Sequence, residues 1–324
     1  MGPIICDIEG VGLTSEDKDI LMHPLVGGII LFARNYESRE QLTALIASIR
    51  ALSSEFLISV DQEGGRVQRL KSEFTLLPPL GSIGTMLDSA LFEPSQVLHY
   101  AQYLGELMAR EVQEVGIDIS FAPVIDCNKG ISQIIGDRAF HREPMSVSQL
   151  AMSYILGMGK AGMSATLKHF PGHGGVAPDS HLELPIDTRT LNEIKDDMLP
   201  FKYLIQKKIN NIHAVMPAHI IYNQVDSVPA GFSRVWLQEI LRAELGFKGA
   251  IISDDLSMKA TTYLGDIATK ATLALEAGCD TLLICNDRQS VESVLDSLKD
   301  NRSHESKQRM KKLLMTPVVE CTVF

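Results

Sequence analysis

Basic residues are in short supply: 30 lysines and arginines stand against 40 aspartates and glutamates, a formal net charge of −10 over 324 residues. A nucleic-acid partner requires Lys and Arg gathered on one face. The first such cluster comes only at Lys307 to Lys312, which reads as the solvated end of a last helix. A nucleic-acid role is therefore not expected. Long hydrophobic runs are missing as well. The apolar segments are short, as at Gly27 to Ala33, and none approaches the ~20 residues of a membrane span, so no membrane association is expected. The opening MGPIICDIEG has neither a basic region nor a long apolar stretch, which argues against secretion. Five cysteines (Cys6, Cys127, Cys279, Cys285, Cys321) are odd in number and lack CxxC spacing, so neither a disulfide framework nor a zinc knuckle is indicated. A cytoplasmic setting fits best.

What is present is an ordinary globular composition, 45% hydrophobic and 22% charged, with a rhythm of short apolar runs and longer amphipathic stretches. Eight runs dense in Val, Ile and Leu are read as strands: Ile4–Cys6, Gly28–Phe32, Leu57–Val60, Ile117–Phe121, Ser164–Leu167, Ala214–Met216, Ala250–Ile252 and Thr281–Cys285. Near-continuous hydrophobicity over so few residues suits strands covered on both faces, as in parallel sheets. Helices are expected over Arg39–Leu52, Ser95–Val115, Ser146–Ala161, Leu191–Lys207, Ser233–Leu245 and Asp266–Ala277, with Ser95 and Ser146 as N-caps and Gly116, Gly162, Gly246 and Gly278 as stops. The predicted fold class is α/β, a single (β/α)8 TIM-type barrel, with a doubly wound open sheet as the alternative. The barrel is assigned residues 1–300, and 301–324 form a helical tail rather than a separate domain.

Polar groups follow every predicted strand: Asp7, Arg34-Asn35, Asp61, Asp126, Lys168-His169, His219, Asp254-Asp255 and Asn286-Asp287. Barrels build their active sites at those strand ends. Three segments concentrate the chemistry. KHFPGHG (168–174) with the nearby Asp179-Ser180-His181 gathers imidazoles, an ammonium and a carboxylate in a loop shaped by glycine and proline; SDDLSM (253–258) carries adjacent carboxylates; DQEGGR (61–66), with Arg69, forms an acidic turn.

At these residues the chain resembles a bacterial β-N-acetylhexosaminidase of glycoside hydrolase family 3, of the single-domain type that acts in peptidoglycan recycling. The resemblance extends through HPLVGGIILFARNY, VDQEGGRVQRL and MPAHIIY, covers roughly Met1 to Asp287, and fades beyond about Asn301. It implies Asp254 as nucleophile, His181 as general acid/base and Asp179 as its polarising partner, with Asp61, Arg69, Arg138, Lys168 and His169 holding the sugar. It also implies a muropeptide substrate, N-acetylglucosamine joined to anhydro-N-acetylmuramic acid with or without peptide, and no cofactor or metal. A monomer is expected.

The residue types suit this chemistry. A retaining glycosidase needs a carboxylate beneath the anomeric carbon and an acid at the leaving oxygen. A histidine in place of a second carboxylate departs from the general scheme, yet an ordinary pKa near ~6.5 lets imidazole both give and take a proton. His173 between two glycines is read as a brace for its loop, and Asp255 as a residue that shapes its turn. Other readings stay open at this point. They are a metal-dependent hydrolase using His169, His173, Asp179, His181 and His219, a non-catalytic sugar-binding barrel, catalysis assisted by the substrate's acetamido oxygen, and transfer to phosphate instead of water. The loop from Gly172 to Leu184 is expected to move when sugar binds.

Overall fold

The computed structural model describes residues 1–177 and 184–315. Eight strands form one parallel sheet: β1 (Ile4–Cys6), β2 (Val26–Leu31), β3 (Leu57–Val60), β4 (Ile119–Ser120), β5 (Ala165–Phe170), β6 (Ile212–Pro217), β7 (Ala250–Asp255) and β8 (Thr281–Ile284). Their spatial order is β4-β3-β2-β1-β8-β7-β6-β5. The remaining seam closes just past β4, where Val124 bridges to Lys168, Thr166 N donates to Ala122 O at 2.9 Å and Ile125 N donates to Lys168 O at 2.9 Å. Closure removes both sheet edges and rules out the open, doubly wound alternative.

Alternation along the strands sorts two cores. Ile5, Ile30, Leu57, Ile119, Ala214, Met216, Ala250, Ile252 and Leu283 pack together inside the barrel. Their neighbours Ile4, Ile29, Leu31, Ile58, Val215, Ile251 and Leu282 face the surrounding helices. A two-residue period with both faces apolar is what makes each strand read as an unbroken hydrophobic run. The helix His304–Lys311 and the turn after it close the N-terminal end of the barrel, sending Met310 and Leu313 into the inner core. Lys307 and Lys311 at its surface pair with Asp300 and Glu55.

The ring of helices agrees with the amphipathic pattern, with shifted starts. The expected caps Ser95 and Ser146 lie inside their helices, which run Pro94–Glu114 and Pro144–Lys160; Glu93 and Glu143 hold the cap positions. Proline at the first helical position, with φ already set and no N–H to satisfy, fixes the entry point. The helix expected from Leu191 starts at Lys195, because Thr190 and Glu193 close a turn ahead of it, with Thr190 N donating to Glu193 Oε2 at 2.7 Å. Gly116, Gly162, Gly246 and Gly278 all adopt positive φ at helix ends, as expected. Among the described residues no helix is long and apolar enough to cross a membrane.

Candidate active site

Beyond β3 the chain turns back on itself in a short hairpin, Gln62–Gly64 against Val67–Gln68, through Gly64 (φ 106°) and Gly65 (φ 55°). A Cβ on Gly65 would stand 2.8 Å from the Pro79 Cβ, so both conformation and space require glycine there. Gln62 locks the turn: its N donates to Ser120 Oγ at 3.0 Å, its Nε2 donates to Leu70 O at 2.8 Å, and its Oε1 accepts from Leu70 N at 3.1 Å. The hairpin thereby aims Asp61, Glu63 and Arg69 across the mouth of the barrel.

Lys168 and His169 stand at the end of β5, both buried. Lys168 Nζ donates to Asp61 Oδ1 at 3.2 Å and to Glu63 Oε1 at 2.6 Å. Arg138, at the end of the short helical turn Gly136–Arg138, grips the same Glu63 with two parallel bonds, Nε to Oε2 at 2.7 Å and Nη2 to Oε1 at 2.8 Å. Arg69 Nη2 donates to Asp61 Oδ2 at 3.0 Å. Burial pushes the Glu63 carboxyl upward, but the adjoining Lys168 ammonium and Arg138 guanidinium outweigh it and hold the group far below the ordinary carboxylate value. His169 Nδ1 donates to Asp126 Oδ2 at 2.8 Å, which leaves Nε2 as the ring nitrogen available to a ligand. Asp126 also accepts the backbone N–H of His173 at 2.7 Å. Burial, followed by the nearby His169, lowers His173 to about 4, so it is neutral over the physiological range. The His173 backbone bond matches the bracing role read from its glycine neighbours.

At the end of β7 Asp254 faces the pocket, and its Oδ1 accepts Asp255 N at 2.9 Å. Asp255 accepts from Ser257 N at 3.0 Å, Ser257 Oγ at 2.6 Å and Cys285 N at 3.1 Å, which is the turn-shaping role expected of it. Burial raises its carboxyl to about 6. Behind this strand end His219 is fully buried, stacked on Phe232, with Nε2 donating to Asp255 O at 3.1 Å.

The six described residues expected at the site, Asp61, Arg69, Arg138, Lys168, His169 and Asp254, line one pocket of about 620 Å³. Phe32, Met216, Met258 and Leu283 give that pocket apolar walls beside its charges. The register of polar residues at strand ends was too generous a guide. Asp7 pairs with Arg34 and lines a neighbouring cavity instead, Asp287 caps the helix Arg288–Ser297, and Asp126 and His219 support the site from behind. Glu63, like Arg66, is a charged residue of the pocket to which the sequence reading gave no role. Its signal was membership of the acidic turn, but only the hairpin shows that it meets Lys168 and Arg138. Asp179 and His181 lie outside the described residues, as does the middle of the loop expected to move. Among the described residues no group of three or more His, Cys, Asp or Glu side chains is arranged to hold a metal ion.

Residues 7–314 match the model of the glycosyl hydrolase family 3 N terminal domain. The β-hexosaminidase of Idiomarina loihiensis is 50% identical over 318 residues, 98% of this chain and 93% of that protein. That of Nitrosospira multiformis is 48% identical over 300 residues, 92% of this chain and 84% of that protein. Among solved structures, NagZ from Neisseria gonorrhoeae in complex with N-trifluoroacetyl-D-glucosamine superposes with a TM-score of 0.90 at 43% identity, covering 97% of this chain and 90% of that one.

Proposed function

The chain belongs to glycosyl hydrolase family 3 and is one of its β-hexosaminidases, and from that premise we propose that it removes terminal N-acetylglucosamine from peptidoglycan fragments with retention of configuration. The observation that carries the reading is the convergence of Asp254, Asp61, Arg69, Arg138, Lys168 and His169 on one pocket at the C-terminal ends of the strands. Asp61, Arg69, Arg138, Lys168 and His169 hold the hydroxyls of the sugar. Asp254 attacks the anomeric carbon, forming a covalent glycosyl-enzyme while His181 protonates the departing oxygen. His181, its ring oriented by Asp179, then takes a proton from water as that water releases the sugar. The natural substrate is N-acetylglucosamine joined to 1,6-anhydro-N-acetylmuramic acid, with or without peptide, encountered in the cytoplasm during cell-wall recycling by a monomeric enzyme that needs no cofactor.

Product analysis tests the reaction. With the anhydro disaccharide as substrate, free N-acetylglucosamine accumulates with or without phosphate; a sugar 1-phosphate appearing with phosphate would identify a phosphorylase instead. A fluorinated N-acetylglucosamine analogue is expected to leave a sugar-mass adduct on the peptide containing Asp254, and an adduct elsewhere removes Asp254 from the nucleophile's role. His181→Ala is expected to impair cleavage of the disaccharide far more than that of an activated nitrophenyl glycoside, whose leaving group needs little protonation. Equal losses on both would leave His181 without the acid's part.

A further inference from the structure

Glu63 is 2% exposed and is held by two cations at once. Its Oε1 accepts from Lys168 Nζ at 2.6 Å and Arg138 Nη2 at 2.8 Å, and its Oε2 accepts from Arg138 Nε at 2.7 Å. All three charges are withdrawn from solvent, with the Lys168 and Arg138 side chains 3% and 10% exposed. A buried lysine beside a fork of arginine donors is the arrangement that captures phosphate or carboxylate groups. Here an internal carboxylate already occupies the fork. Among the described residues lining the pocket, four cations, Arg66, Arg69, Arg138 and Lys168, stand beside four carboxylates, Asp61, Glu63, Asp254 and Asp255, so their formal charges sum to zero.

We propose that Glu63 is a positioning and specificity residue: it orients Lys168 and Arg138 toward the pocket and, together with Asp61, cancels their two charges, so that a neutral, hydroxyl-bearing sugar is accepted and an anionic one is turned away. Acting through those two side chains, it fixes where their remaining donors point, and a sugar hydroxyl can bond to such donors without displacing the carboxylate. A phosphorylated or carboxylated ring would instead place its charge against Asp61, Glu63 and Asp254 with no uncancelled cation to receive it. Replacing Glu63 by an uncharged residue keeps the Lys168 bond to Asp61 and the Arg138 bond to the Ile134 carbonyl, and gives the pocket one net positive charge.

The inference rests on the pocket holding an amino sugar, and calorimetry separates the two ideas. N-acetylglucosamine, its 6-phosphate and inorganic sulfate are titrated into wild type, Glu63→Gln and Glu63→Asp. Wild type is expected to bind the neutral sugar about tenfold or more tightly than the 6-phosphate and to ignore sulfate. Glu63→Gln gains affinity for sulfate and the 6-phosphate by about tenfold, and its kcat/KM on a nitrophenyl N-acetylglucosaminide falls about 10²-fold as the two donors lose their anchor. Glu63→Asp keeps the charge with a shorter reach, so it continues to reject the anions while losing catalytic efficiency. Wild type that binds the 6-phosphate as well as the neutral sugar overturns the proposal without any variant. So does a folded Glu63→Gln with unchanged preference. Wild type that binds and cleaves no amino sugar overturns the functional reading itself.

Discussion

At the C-terminal end of the barrel Lys168, Arg138 and Arg69 direct donors onto carboxylates that line an open pocket, whereas at the N-terminal end Arg50, Arg242 and Arg302 also tie backbone carbonyls of separate segments together. Arg50 reaches Ser54 O, Phe56 O and Gly116 O besides Asp118; Arg242 reaches Phe247 O and Gly249 O besides Asp280; Arg302 reaches Met1 O and Asp280 O besides Asp300. The carboxylates at that end are also taken by backbone. Asp280 accepts Ile251 N, and Asp118 accepts Ile58 N and Met315 N. Both networks are buried ion pairs, but one spends its hydrogen bonds on the chain and joins distant segments, while the other leaves polar groups facing a cavity. Burial of charge alone therefore does not mark a functional site. What marks it is ionised groups held in place beside space that a ligand can enter.

Substitutions at the two ends should separate activity from stability. The largest effect is expected for Asp254→Ala, a loss of at least about 10⁴-fold in kcat with little change in Tm, read by steady-state kinetics beside calorimetric melting. A comparable fall in Tm would make Asp254 part of the frame. At the opposite end Asp280→Ala strands Arg242 and Arg309 and removes an acceptor for Ile251 N, at a cost of about 3–5 kcal/mol in denaturant unfolding. The kcat of the protein that remains folded should stay near wild type, and a selective loss of kcat would erase the distinction between the two networks. Met310→Ala empties part of the plug beneath the strands and is expected to cost about 2–5 kcal/mol, again without altering KM.

The smallest effect sharpens the comparison from within the site. Burial raises Asp255 from 3.8 to about 6, so the folded chain binds that proton more tightly than the unfolded one. The resulting stabilisation is fully present below about pH 4 and is lost as pH rises through about 6. Wild type should therefore lose stability relative to Asp255→Asn between those values, by no more than about 3 kcal/mol. Melting curves of both proteins from pH 4 to 7 measure it, and a difference that is flat or of opposite slope contradicts the assignment to Asp255.

Much of this molecule was legible in one dimension because the signals involved are local. Burial on both faces makes a barrel strand an uninterrupted apolar run, and so Ile4–Cys6, Leu57–Val60 and the rest stood out. Glycine at positive φ ended the helices where the chain said it would, and the acidic and histidine-rich strand ends pointed to the pocket. Helix starts were less secure, since Pro94 and Pro144 outranked the serines behind them through a conformational constraint that a capping pattern does not weigh.

The chain alone determined an alternating α/β architecture, its chemistry-bearing turns and its family. Tertiary structure decided which charges meet. Glu63 finds Lys168 and Arg138, Asp7 finds Arg34 in a cavity apart from the pocket, and Asp280 finds Arg309 beneath the plug, through contacts between segments up to about a hundred residues apart. Hydrophobic periodicity is set by a residue's immediate neighbours along its own element. An ion pair depends on the closure of the barrel, which brings together the ends of strands and helices that no local pattern relates.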